Sequence, residues 1–94
     1  MEITHDKAVA ADRALQYDAQ GEAVQELQQH LRELDYRDMD GPVTADGQFG
    51  DRTRRAVEAF QYDYGLIVDG VAGPKTWRAL RHALRDRSWR KVRS

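Results

Sequence analysis

The sequence predicts an all-α fold: a three-helix bundle with two structured DGxxG loops. Two repeated phrases and one periodicity carry that expectation. DGQFGDRT at Asp46–Thr53 returns as DGVAGPKT at Asp69–Thr76, 23 positions later. Ala23-Val24-Gln25-Glu26-Leu27-Gln28 returns as Ala56-Val57-Glu58-Ala59-Phe60-Gln61, 33 positions later. Apolar residues between these phrases recur at three- and four-residue steps, the spacing that lines one face of a helix. A helix followed by a Gly-rich turn, given twice, reads as a duplicated unit that cannot bury its apolar face alone.

The elements follow in chain order. Residues 1–14 hold Ala8, Val9, Ala11 and Ala14, a weak helical pattern expected as an arm or short helix, and Tyr17 to Gln20 read as a polar connector. Gly21 and Glu22 open the first strong helix, expected over 22–35, with Val24, Leu27, Leu31 and Leu34 inward. The segment from Asp35 to Ala45 is rich in turn formers and ends in the first DGxxG. A second helix is expected over 51–64 with Ala56, Val57, Phe60 and Tyr64 inward, and Gly65 stands where a C-terminal glycine is wanted. Leu66-Ile67-Val68 is a short extended run, long enough for one pairing strand. Pro74 suits the first position of a third helix, over 74–86, that turns Trp77, Leu80 and Leu84 inward. The remainder, 87–94, reads as a basic tail or linker, leaving 15–86 as the domain. In the turns, Asp46 and Asp69 accept backbone N–H groups as turn or helix-cap residues, Gly47, Gly50, Gly70 and Gly73 supply backbone freedom, and Thr53 and Thr76 complete each phrase.

Composition narrows the function classes. Ninety-four residues make one domain with no room for a separate catalytic one, and the absence of cysteine excludes disulfides, thiolate metal sites and a Cys nucleophile. No stretch approaches the ~20 apolar residues that span a bilayer, so no membrane partner is expected. The amino terminus lacks the apolar core of a Sec signal peptide, which leaves export by another route or membership of a longer protein. The acidic loop Asp35, Asp38, Asp40, Asp46 does not match the ligand spacing of an EF-hand, and His5, His30 and His82 are dispersed, so neither a metal nor another cofactor is expected. No Ser-His-Asp or paired-carboxylate arrangement is supported. Net charge is −1, but residues 1–51 hold twelve acids against four bases and 52–94 hold four against eleven. The basic half admits an anionic partner.

Leu15, Gly21, Val24, Leu27-Gln28, Leu31, Leu34, Tyr36, Asp46-Gly47-Gln48-Phe49-Gly50, Thr53, Ala56-Val57, Phe60-Gln61, Gly65-Leu66, Asp69-Gly70, Gly73-Pro74, Thr76-Trp77 and Leu80, taken together, resemble the peptidoglycan-binding type 1 family, the trihelical module appended to bacterial and phage cell-wall hydrolases. The resemblance covers about residues 15–84. Asp18 and Asp35 depart from it, standing where the family often has glycine, and the loop from Gly41 to Asp46 is longer than usual.

The resemblance implies a non-catalytic domain that binds peptidoglycan at the cell wall and targets a fused or partner hydrolase to its substrate. Peptidoglycan presents sugar hydroxyls, acetamido groups and stem-peptide carboxylates, which call for amide and hydroxyl partners, an aromatic face and a cation. Tyr36, Gln48, Phe49, Arg52, Gln61 and Tyr62 are the candidate groove residues, with Phe49 also fitting a core plug. The competing classes are a protein interaction module of a secreted effector, with Trp89 as a possible anchor, and a DNA-binding helical domain. The long connection between the first two helices and the absence of overall basic charge argue against nucleic acid.

Overall fold

The computed structural model describes residues 14–38 and 41–93. The arm expected over 1–14 lies outside them but for Ala14. Three helices form: α1, Glu22–Glu33; α2, Asp51–Asp63; and α3, Pro74–Arg93. Between α1 and α2 runs a two-residue hairpin, β1 (Arg37–Asp38) antiparallel to β2 (Gly41–Pro42), with Arg37 opposite Pro42. α1 packs on both α2 and α3, and β1 lies against α2.

Each helix opens on a glycine carbonyl: Gln25 N–H donates to Gly21, Arg54 to Gly50 and Trp77 to Gly73. No side chain caps α1 or α2 at those glycines. Asp46 and Asp69 therefore shape the turns but do not cap the helices, because each stands four positions before the glycine whose carbonyl opens the helix. α1 and α2 close alike, with the 6→1 and 5→2 bonds of a Schellman end: Tyr36 N–H to Leu31 O (3.0 Å) and Asp35 N–H to Arg32 O (2.9 Å), then Leu66 N–H to Gln61 O (2.8 Å) and Gly65 N–H to Tyr62 O (3.3 Å). The left-handed position of that motif is Gly65 in α2 and Asp35, φ 67°, in α1. Asp18, φ 83°, is the other non-glycine there. Asp18 and Asp35 thus stand in backbone that glycine adopts most cheaply.

The third helix continues through Arg93, past the expected end at 86. From Lys75 to Ser94 there is neither glycine nor proline, so nothing stops it.

The core takes most of the expected inward faces, Val24, Leu27 and Leu31 from α1, Ala56, Val57 and Phe60 from α2, Trp77 and Leu80 from α3, while Ala83 is buried where Leu84 was expected and Leu34 and Leu84 are only partly buried. Phe49 and Val43 from the long loop, Leu15, and Ala72 from the second turn fill it out. Tyr64 was expected inward; it is 48% exposed, yet its ring stacks on Phe60 at 4.4 Å. Leu66-Ile67-Val68 pairs with no strand, and Ile67 and Val68 face solvent. The expected polar connector has a structural role instead. Leu15 exchanges backbone hydrogen bonds with Ala72, Asp18 N–H donates to Phe49 O (2.8 Å), and Gly21 N–H to Gly47 O (2.9 Å), so one short extended segment fastens both turns.

Candidate functional site

Each repeated unit is built on one buried glutamine. The Gln28 Nε2 amide lies within hydrogen-bond reach of Asp46 Oδ1 (3.1 Å), Gln48 O (2.9 Å) and Thr53 Oγ1 (2.9 Å), and its Oε1 accepts from Gly47 N–H (2.8 Å). Gln61 repeats this in the second unit: Nε2 faces Asp69 Oδ1 (2.9 Å), Val71 O (3.0 Å) and Thr76 Oγ1 (3.2 Å), and Oε1 accepts from Asp69 and Gly70 N–H (3.1 and 3.0 Å). A carboxamide serves this place because it carries a donor and an acceptor together, and a turn folded inward presents both kinds. The aspartates tie the turns from outside, Asp46 Oδ1 accepting from Gln48 N–H (3.0 Å) and Asp69 Oδ1 from Val71 N–H (2.9 Å). The Gln48 N–H, with the Gln28 amide, holds the Asp46 carboxyl below the usual carboxylate range. Gly47 and Gly70 adopt φ 78° and 72°, which turns each backbone toward its glutamine.

The outer side of each turn is a cleft. The first, about 260 Å³, is lined by Thr44, Asp46, Gln48, Gly50, Asp51, Arg52 and Thr53. The second, about 550 Å³, takes the equivalent positions 23 residues on, Ile67, Asp69, Val71, Gly73, Pro74, Lys75 and Thr76, and adds Gln61, Gly65, Leu66 and Arg78. The two share a skeleton and differ in lining. Thr44, Gln48 and Asp51 make the first polar, whereas Ile67, Val71 and Pro74 make the second apolar, and a cation stands at the same place in both, Arg52 or Lys75.

The sequence-expected groove residues are divided among these places. Gln48 and Arg52 line the first cleft. Gln61 lines the second but is 1% exposed, with its amide engaged by the turn. Phe49 is 2% exposed, in the core. Tyr36 donates its hydroxyl to Asp63 Oδ2 (2.7 Å) and sets its ring edge-on to Phe60; burial and the Asp63 carboxylate push its phenol up. Tyr62 is 78% exposed and lines neither cleft. Sequence reading missed Ile67, Val71, Lys75 and Arg78 as a group. The available signal was the apolar run Leu66-Ile67-Val68, which has no strand to pair with. Among the described residues, no cluster of His, Asp or Glu fits a metal ion, and no helix is long and apolar enough to cross a membrane.

Residues 20–80 match the family described as "Putative peptidoglycan binding domain". The chain is 45% identical over 60 residues to the zinc D-Ala-D-Ala carboxypeptidase of Streptomyces albus G, a match covering 64% of this chain and 23% of the relative. It is 35% identical over 75 residues to the spore cortex-lytic enzyme of Halalkalibacterium halodurans, covering 80% of this chain and 22% of that enzyme. Among solved structures, the SleB N-terminal domain superposes with a TM-score of 0.69 at 39% identity, covering 77% of this chain and 93% of that one. The chain thus spans under a quarter of these two enzymes but nearly all of a separately solved domain.

Proposed function

The chain belongs to the peptidoglycan-binding domain family, and we propose that it grips peptidoglycan without doing chemistry itself, holding a linked or partner cell-wall hydrolase or effector at its substrate. The observation that carries this is the second-turn cleft, where apolar walls from Leu66, Ile67, Val71 and Pro74 stand beside Lys75 and Arg78. Apolar walls suit sugar-ring faces and acetamido methyl groups; the cations suit stem-peptide carboxylates. The polar first cleft, with Gln48 and Arg52, adds hydrogen-bonding partners at the equivalent place in the first unit.

Tethering explains how a module without catalytic groups aids a hydrolase. A bound tether turns each encounter with substrate into an intramolecular event at an effective concentration set by the linker. The place of action is then the cell wall, periplasmic or extracellular. Exposed Tyr62, Ile67 and Val68 support a second reading, in which this surface docks a protein partner.

Cosedimentation with purified, teichoic-acid-free sacculi tests the proposal. The wild-type chain is expected to sediment at low salt, Ile67→Asn to weaken sedimentation markedly, and Gln48→Ala to weaken it less, all with unchanged helicity. Wild-type protein that stays in the supernatant would sink the reading.

A further inference from the structure

The cations at the mouth of the second cleft do not stop there. Along α3, Lys75, Arg78, His82 and Arg85 are spaced by three, four and three residues, so they lie on one face, with Arg81 beside them. All five are exposed. The opposite face of the helix carries Trp77, Leu80 and Ala83 into the core, which fixes the cationic face outward. Among the described residues, none of Lys75, Arg78, Arg81 and Arg85 forms an ion pair, whereas Arg54 pairs with Asp51 and His30 with Glu26. Asp69, the carboxylate lining the same cleft, is engaged by Gln61 and the Val71 N–H. A ridge of unpaired cations therefore leaves the cleft and continues along the helix as far as the exposed acid Asp86, which ends it.

From Lys75 to Arg85 the ridge rises ten residues, about 15 Å at the helical rise per residue. An extended peptide covers that length with about five residues. We infer that the ridge is a binding surface for the acidic stem peptide of peptidoglycan, laid along α3 with its free carboxylates on Arg78, Arg81 and Arg85, while the cleft holds the N-acetylated sugar whose lactyl group carries that peptide. This rests on the cell-wall reading above and adds to it a ligand class: wall whose stem-peptide carboxylates are free is bound in preference to wall in which they are amidated. Guanidinium groups suit this task because their paired N–H groups match a carboxylate. Each exposed pair is weak and screened by salt, so the preference comes from several acting together.

The test uses the 94-residue chain and sacculi stripped of phosphodiester polymers, before and after amidation of their carboxylates with carbodiimide and ammonium. Wild-type affinity is expected to fall on the order of tenfold on amidation, the size expected from losing three exposed ion pairs. The triple variant Arg78→Gln, Arg81→Gln, Arg85→Gln is expected to bind both preparations equally, at the weakened level, with the wild-type far-ultraviolet spectrum and melting temperature. Wild-type affinity unchanged by amidation, or undiminished affinity in the triple variant, overturns the inference and leaves the cell-wall reading standing. Affinity that rises on a third preparation of sacculi left unstripped, and does not depend on carboxylates, also overturns it, assigning the ridge to a wall phosphodiester polymer. No sedimentation with either preparation removes the cell-wall reading itself.

Discussion

The two repeated units keep the same interior and diverge outside. In each, a helix glutamine holds an Asp-Gly turn and the threonine that follows, and a glycine carbonyl opens the next helix. Between glutamine and aspartate the first unit spans 18 positions and the second only 8. The outer lining changes from Thr44, Gln48 and Asp51 to Ile67, Val71 and Pro74. Turn and cleft lining are thus written at different positions of one repeat. Residues facing the glutamine define the turn, and residues one step along the chain, facing out, are free to vary the chemistry of the cleft.

The largest test of that division removes the glutamines. Gln28→Leu and Gln61→Leu each strand a buried threonine hydroxyl and turn N–H groups, and each is expected to cost about 2–4 kcal/mol in urea unfolding. Gln61→Leu should cost more, since five hydrogen-bond contacts converge on Gln61 and four on Gln28. If either protein unfolds at the wild-type denaturant concentration, the shared interior is not what holds the units.

Next come the turn glycines, which separate the units. A Cβ on Gly47 would meet the Gly21 carbonyl oxygen at 3.3 Å, backbone that the pairing segment fixes; on Gly70 it would meet Arg54 Cγ and Glu58 Oε2 at 3.2 Å, side chains that can swing aside. Both substitutions force alanine into the left-handed region, at roughly 1–2 kcal/mol. Gly47→Ala should therefore lower the melting temperature further than Gly70→Ala, and equal losses would show that crowding at Gly21 is relieved by backbone movement.

The smallest effect is acid sensitivity through Asp46. Its folded-state carboxyl titrates below its unfolded value, so the stability it contributes is fully present above the unfolded value near 3.8 and is lost as pH falls through the folded one. Thermal melts from pH 7 down to pH 3 should show a shallower acid decline in Asp46→Asn than in wild type. Parallel curves would remove Asp46 as a contributor.

The fold was legible where pattern follows period. Val24, Leu27 and Leu31, then Phe60, then Trp77 and Leu80, are spaced as helix faces and are buried as helix faces. The repeat, too, was visible as text. What the text hid was that its two phrases touch. The glutamine phrase repeats at 33 and the turn phrase at 23, so nothing in either interval shows that Gln28 meets Asp46 and Gln61 meets Asp69. Gln61 entered the candidate groove as an amide partner for the ligand. Its burial depends on turn groups that become polar neighbours only after folding. The second cleft escaped for the opposite reason. Val71 becomes part of an apolar wall only once Ile67, Leu66 and Pro74 stand around it.

One feature of the first unit carries a practical corollary. The Gln28 clamp joins the start and end of the hairpin-bearing loop, Gln25 donates to Ala45 O (3.2 Å), and Val43 anchors the returning strand in the core. With both ends fastened, lengthening the loop between α1 and Val43 costs only the entropy of a longer closed loop, about 0.6 kcal/mol per doubling. That loop is in effect an insertion port. A fluorophore-bearing peptide or an affinity epitope spliced there is expected to leave both clefts undisturbed, giving a probe whose reporter sits in the middle of the chain.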